Sequence, residues 1–474
     1  MKKLIALLLV LALLVQILPT YVFAENDASD TPPVEAVEME TGETGKVVLG
    51  EMTDRRGENE KHFHLNDGGF VAVDYGAPVH YSTDGGETWK DIDNTLAPSR
   101  DDAELYVAEN GDSVRGFASD LRAGRLLAVS DGAYGLRFGL SETADNADGE
   151  KRGAAVAEIT YPDEKTRGNE ELPFAEQVTP SKLRTEVLYR NVYDGVDLSY
   201  VLYSHDVKES ILVNQPRESY VFSFTLDTDE LTPALAEDGS IELRNADGEV
   251  IYLIPAPYMF DAKGAESDAV SYKLEEAKSG AWTLTVTADT DWINDAERAF
   301  PVTIDPTIYF AGDSSNQQIF SGYINDNSPN THPADSSSYI RCGNYQNSGA
   351  TAGHAIGLIY VNKLPSIPEN CVVTTSMLKL FQTSYSNGNT GYYNYPRLYT
   401  SQIIDSSFSS SAAESFINSL TWNNLTNKVN YGGGTSPETR TTIDYTRCKI
   451  NTLGDHYFEI TDTTRQWYEG TTAI

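Results

Sequence analysis

From about Lys46 onward the chain is built of short apolar runs that alternate with polar residues, and many of them end in an Asp-Gly pair. Tyr220, Phe222, Phe224 and Leu226 alternate with Val221, Ser223 and Thr225; Trp282, Leu284 and Val286 alternate with Thr283, Thr285 and Thr287. A period of two puts each apolar set on one face of a strand, against a core. Asp67-Gly68, Asp131-Gly132, Asp238-Gly239 and Asp247-Gly248 are turn pairs of the kind that join antiparallel strands. The pattern therefore predicts an all-β fold of antiparallel β-sandwich domains. One segment has a different period: in 412–420, Phe416 and Leu420 are four apart after a serine cluster, which predicts a short helix.

The start of the chain also breaks the alternation. Lys2 and Lys3 lead an apolar run over 4–22, closed by Val22-Phe23-Ala24 before an abrupt change to Glu25-Asn26-Asp27. A positive start, a short apolar stretch and a small-residue end predict a signal peptide at 1–24, with Ala24 the last residue removed. The stretch is short for a spanning helix and has no basic flank beyond it, so no membrane segment is expected after cleavage. Residues 25–45 are acidic, rich in Pro, Thr and Glu and without periodicity, and read as a flexible linker.

Polar stretches at 145–151 and 163–171 read as loops and mark a boundary near 150, between an N-terminal β subdomain at 46–150 and a sandwich-like region at 151–306. Phe300-Pro301-Val302-Thr303-Ile304-Asp305-Pro306 closes that region. Two prolines around a four-residue alternating segment suit a terminal edge strand that runs into a linker. After Thr307 the composition shifts to Ser, Thr, Asn, Tyr and Gly, with short strands such as Met377-Leu378-Lys379-Leu380, so 307–474 forms a third region.

Charge narrows the function classes. The 474 residues hold 70 Asp plus Glu against 35 Lys plus Arg, a formal net charge of -35. Nucleic-acid and anionic-lipid partners are not expected, because phosphate contact needs basic patches. The carboxylates supply oxygen ligands for a hard cation, so a structural calcium ion is compatible with the composition, although no metal ligand set can be assigned and no other cofactor is expected. Cys342, Cys371 and Cys448 cannot all pair internally, and their spacing does not choose a disulfide.

Ser82-Thr83-Asp84-Gly85-Gly86-Glu87-Thr88-Trp89 fits the pattern S-x-D-x-G-x-T-W, the Asp box. Its chemistry is structural: the Asp84 carboxylate caps backbone amides, Gly86 supplies a positive φ, Trp89 packs over the hairpin base, and Ser82 and Thr88 complete the turn. A single copy does not make a sialidase, which would repeat it in each propeller blade. His62 and His64 would share a strand face as metal ligands can, without an assignable third ligand. The chain shows neither GxSxG nor HExxH, no phosphate-cradling Gly loop and no recognisable carboxylate pair, so it is read as non-enzymatic, with a secreted glycosidase or polysaccharide lyase as the least favoured alternative. Tyr385, Tyr392, Tyr393 and Tyr395 cluster with Tyr399 among Ser, Asn and Gly, the composition of a loop that presents flat rings and amides to sugar faces; they are the candidate glycan-binding residues.

Several segments carry a resemblance. Tyr189-Arg190-Asn191-Val192-Tyr193-Asp194-Gly195-Val196-Asp197-Leu198, Val207-Lys208-Glu209, Ile254-Pro255-Ala256-Pro257-Tyr258-Met259-Phe260-Asp261-Ala262 and Phe300-Pro301-Val302-Thr303-Ile304-Asp305-Pro306-Thr307 occur in this order. With Ala77-Pro78-Val79-His80-Tyr81 and Asp91-Ile92-Asp93-Asn94-Thr95-Leu96 upstream, they resemble the N-terminal region of secreted wall-associated RHS/YD-repeat proteins of Gram-positive bacteria. Leu364-Pro365, Ser376-Met377-Leu378-Lys379-Leu380, Thr421-Trp422-Asn423-Asn424 and Phe458-Glu459-Ile460-Thr461 with Trp467 and Gly470 are similar to a DNRLRE domain, a jelly-roll-like β-sandwich related to carbohydrate-binding modules. The resemblance implies a non-catalytic, secreted or cell-wall-associated surface protein, the display or attachment portion of a longer one. It also implies the alternative of a glycan-binding module or adhesin with cell-wall or extracellular polysaccharide as partner. Such a domain closes with a strand after the Trp-x-x-Gly turn; the chain stops at Ile474, so a truncated domain is expected, with Phe458-Glu459-Ile460 beside an incompletely covered edge.

Overall fold

A computed structural model of the chain describes residues 46–108, 111, 113–122, 124–130, 133–141, 155–162, 177–204, 206–262, 265–278, 281–305, 307–310, 319–326, 339–340, 342–345, 353–361, 363–368, 371–382, 393–394, 397–403, 416, 419–430, 442–445, 448–449 and 454–469, together with the backbone at 4–9, 13–14 and 20–26. Contacts divide it into two units. One comprises Val79–Gly168 and Pro180–Asn316; the other comprises Met1–Pro78, Asn169–Thr179 and Gln317–Ile474.

The first unit is an antiparallel sandwich. Its strands include β1 (Val114–Ala118), β2 (Arg125–Ser130), β3 (Gly135–Leu140), β4 (Thr185–Tyr193), β5 (Val196–Leu202), β6 (Asp206–Val213), β7 (Val221–Thr228), β8 (Tyr258–Asp261), β9 (Val270–Lys278), β10 (Ala281–Ala288), β11 (Val302–Asp305) and β12 (Thr307–Phe310). One sheet runs β9-β10-β7-β3-β2-β1 and continues through Leu105–Ala108 to Ala97–Pro98. The other carries β4-β5-β6-β12, and within it β11 pairs with both β6 and β8. The alternating residues behave as period two requires. Phe222 faces Val286, Phe224 faces Leu284 and Leu226 faces Trp282 across the β7–β10 ladder, and Phe222, Phe224 and Leu226 are buried. Phe222 meets Tyr193 of the other sheet at 6.3 Å between ring centroids, and Phe117 meets Tyr200 at 5.7 Å, so both inner faces share one core.

Two expectations change here. The position-150 boundary lies in 142–154, outside the described residues, yet strands from either side of it lie in one sheet: β3 pairs with β7 from Leu136 opposite Thr228 to Leu140 opposite Phe224. Val302–Asp305, expected at an edge, is an interior strand with Ile211 opposite Ile304 on one side and Met259 opposite Ile304 on the other. All four of its residues are buried. The prolines flank the segment without interrupting it, so its own N–H groups are free to pair in both directions, and Thr307–Phe310 continues in the same sheet against β6.

In the second unit Glu60–Leu65 pairs with Phe70–Asp74, Gly353–Val361 with Ile319–Asn325, and Cys371–Gln382 with Gly454–Glu459. Leu4–Leu9 and Thr20–Asn26, within and just past the expected leader, are extended: the former pairs with Gly353–Val361 and Arg397–Ile403, the latter with Phe70–Asp74 and Cys371–Gln382. The edge at Phe458-Glu459-Ile460 was expected to be incompletely covered; among the described residues Gly454–Glu459 pairs with Cys371–Gln382 alone. Phe458 and Ile460 are buried with Ile340, Cys342, Ile359, Leu378 and Leu380, and the helix Thr461–Glu469 lays Trp467 against that cluster; residues 470–474, where the turn would end and a further strand was expected, lie outside the described residues. In the short segment expected to be helical, Phe416 and Leu420 are buried, and 412–415 and 417–418 lie outside the described residues.

Candidate functional site

The family-like segments converge in the first unit. Tyr189-Arg190-Asn191-Val192-Tyr193-Asp194-Gly195-Val196-Asp197-Leu198 forms the β4–β5 hairpin, with Tyr193 opposite Val196 across Asp194-Gly195. Gly195 has φ +66°, which the backbone reserves for glycine, and a Cβ there would sit 2.4 Å from Gln215 Cγ and displace that side chain. Asn191, at φ 51°, sits at the register shift; its N–H donates to Asp197 Oδ1 at 2.7 Å, and Asn214 Nδ2 donates to Asp197 Oδ2 at 3.0 Å. Tyr189, Val192, Tyr193, Val196 and Leu198 fill the core, which makes the motif a folding device.

The other three segments meet at a polar node. Lys208 Nζ lies 2.6 Å from Asp305 Oδ2, joining β6 to β11, with only 15% and 2% of the two side chains exposed. Tyr258 of β8 donates its hydroxyl to the same Asp305 Oδ2 at 2.8 Å. Glu209, next along β6 and therefore on the opposite face, occupies the inward phase set by Val207, Ile211 and Val213. Tyr200 donates to Glu209 Oε1 at 2.7 Å. Burial pushes the Glu209 carboxyl up to about 7, the Tyr200 hydrogen bond opposes this, and the negative charge of Asp305 adds to it. Burial, reinforced by Glu209, raises the Tyr200 hydroxyl well above its usual range. Tyr272 of β9 is raised likewise by burial and by Asp305 and Glu209, and its hydroxyl has no hydrogen-bond partner among the described residues. Sequence reading quoted Lys208, Glu209, Tyr258 and Asp305 only as pieces of a resemblance. The signal for Glu209 was present nonetheless, a carboxylate at a core-phase position of an alternating strand.

The Asp-box residues form a closed turn. Ser82 Oγ donates to Asp84 Oδ1 at 2.7 Å and accepts from Gly86 N at 2.9 Å. Thr88 N donates to Asp84 Oδ1 at 2.9 Å and Thr88 Oγ1 to Asp84 Oδ2 at 2.5 Å, which, with the Ser82 bond, lowers the Asp84 carboxyl to about 2. Gly86 has φ +92°, and its missing Cβ would lie 3.5 Å from the Trp89 ring. No catalytic group takes part in this turn.

In the second unit His62 is fully buried and His64 exposed, so the two histidines do not act together. Neither ring nitrogen of His62 has a hydrogen-bond partner among the described residues; Glu60 Oε1 lies 3.9 Å from Nε2. Asp74, opposite Glu60, is pushed up to about 7 by burial, against a lowering by the Gly76 N–H and with a further rise from Glu60. Cys342 is buried and Cys371 partly exposed; the side chain of Cys448 lies outside the described residues. Of the candidate glycan-binding residues, Tyr385, Tyr392 and Tyr395 lie outside the described residues, and Tyr393 is described only as backbone paired with Lys449. No described helix is long and apolar enough to cross a membrane.

No protein-family model matches the chain. It is 29% identical over 406 residues, 80% of its length, to the tRNA nuclease WapA of Bacillus subtilis strain 168. It is 28% identical over 404 residues, again 80% of its length, to the tRNA3(Ser)-specific nuclease WapA of Bacillus spizizenii. The chain spans only 16% of the length of either relative. A wall-associated protein of Geobacillus stearothermophilus is 23% identical over 273 residues, covering 57% of this chain and 99% of that protein. These likenesses support a wall-associated protein family for this chain and a cell-wall-associated localisation.

Proposed function

We propose that the chain is the non-catalytic display or attachment portion of a longer RHS/YD-type wall protein, exported by its leader, with residues 307–474 as a DNRLRE-like module. The observation that carries this reading is the coverage: 80% of the chain aligns within 16% of the length of the WapA relatives. A segment that small need not hold the nuclease activity their names state. A net charge of -35 also opposes tRNA binding, since each phosphate contact relies on a cation to displace counterions. The Asp-box residues and the polar groups of the β4–β5 hairpin are engaged in turns, which suits a scaffold. Fractionation of the native host, with antibody raised against the first unit, tests the proposal. Recovery in the wall fraction is expected, and strictly cytoplasmic protein sinks it.

A further inference from the structure

We propose that Lys208 and Asp305 condense to an intramolecular amide that covalently joins β6 to β11. This stands on the geometry of the first unit and is independent of the display reading. Four other lysine–carboxylate pairs are seen among the described residues: Lys46–Asp67, Lys61–Glu51, Lys182–Asp93 and Lys273–Glu275. In each, the carboxylate side chain is at least 19% exposed, against 2% for Asp305. Arg298 and Asp261 are buried as deeply, but a guanidinium stays protonated and is no nucleophile. At 2.6 Å the Lys208 ammonium is already in contact with the oxygen that must leave, and Tyr258 donates a hydrogen bond to that same oxygen.

The atoms balance without a co-reactant. One ammonium proton passes to Asp305 Oδ2, giving a neutral amine and a neutral acid, a pair that burial favours over separated charges. The amine lone pair attacks Asp305 Cγ and the new N–C bond forms. A second proton moves from nitrogen to Oδ2, the Cγ–Oδ2 bond breaks, and water departs with that bond's electron pair; the amide nitrogen keeps its third hydrogen. Tyr258 donates to Oδ2 while the group is still a carboxylate and so holds that oxygen beside the Lys208 nitrogen. The product removes two charges from a site where the carboxylate has almost no solvent. The first unit contains no cysteine, so a disulfide is not open to it as a covalent staple for extracellular use.

Intact-mass measurement of the full purified chain tests this. The expected mass is lower than calculated by one water, and proteolysis should yield a branched peptide joining the Lys208 and Asp305 segments. Lys208→Arg keeps the positive charge and should restore the calculated mass. Cyclisation of Asp305 onto the next backbone nitrogen cannot mimic the result, because that residue is Pro306, which has no N–H. Water loss at an Asp-Gly pair would persist in Lys208→Arg, and that outcome counts against the proposal. Wild-type protein at full mass, cleaved by trypsin after Lys208, overturns it whether or not the variant folds.

Discussion

At the scale of single residues, buried polar groups set the most testable properties. The folded-state pKa of Glu209 is raised to about 7 from 4.5, so the folded protein retains a proton that the unfolded chain releases. Stability from this group is greatest below about pH 4.5 and falls as pH rises through 7, by roughly 3 kcal/mol in all. Glu209→Gln retains an acceptor for the Tyr200 hydroxyl and does not titrate. The expected result is a variant more stable than wild type at pH 8, with the difference shrinking at pH 5, read from urea unfolding at both. A Glu209→Gln difference that does not change with pH would refute the buried-acid account. Gly195→Ala should cost about 1–3 kcal/mol, because it strains a positive φ and drives a Cβ against Gln215, and a lower urea midpoint at unchanged slope is the readout. Asp194-Gly195 entered the sequence reading only as part of a resemblance, and its approach to Gln215 depends on a residue just beyond the end of β6.

At the scale of elements, β11 is the clearest departure from local reading. A strand paired on one side leaves alternate N–H groups to solvent, whereas β11 has partners in β6 and β8. Its amides should therefore exchange with deuterium as slowly as those of Asp206–Val213, and fast exchange at alternate positions would restore the edge-strand view. The Asp-box hairpin gives a second check. Asp84→Ala removes the acceptor for both Thr88 N and Thr88 Oγ1, so faster exchange at the Thr88 amide is expected, with the β7–β10 ladder unaffected.

At the scale of the whole molecule, the acidic balance predicts no affinity for tRNA. The tRNA nuclease names belong to relatives of which this chain spans 16%, and a net charge of -35 repels a polyanion. Filter-binding and cleavage assays with bulk tRNA at low salt are expected to show neither retention nor product, and turnover by the purified chain would reassign it as an enzyme.

The sequence alone determined what depends on neighbours along the chain. Alternation in 220–226 and 282–286 announced antiparallel strands because side-chain direction repeats every two residues. Asp67-Gly68, Asp238-Gly239 and Asp247-Gly248 announced turns because glycine takes a positive φ without cost, while Asp131-Gly132 lies outside the described residues; the acidic balance argued against phosphate partners. Tertiary structure alone decided which strands pair and what their polar residues meet. Val302–Asp305 reads the same at an edge or in the middle of a sheet, since pairing is a choice of partner strand and leaves no mark on the strand itself. Lys208, Tyr258 and Asp305 lie on three strands far apart in sequence, and only the register of β8, β11 and β6 brings an ammonium, a hydroxyl and a carboxylate to one buried point.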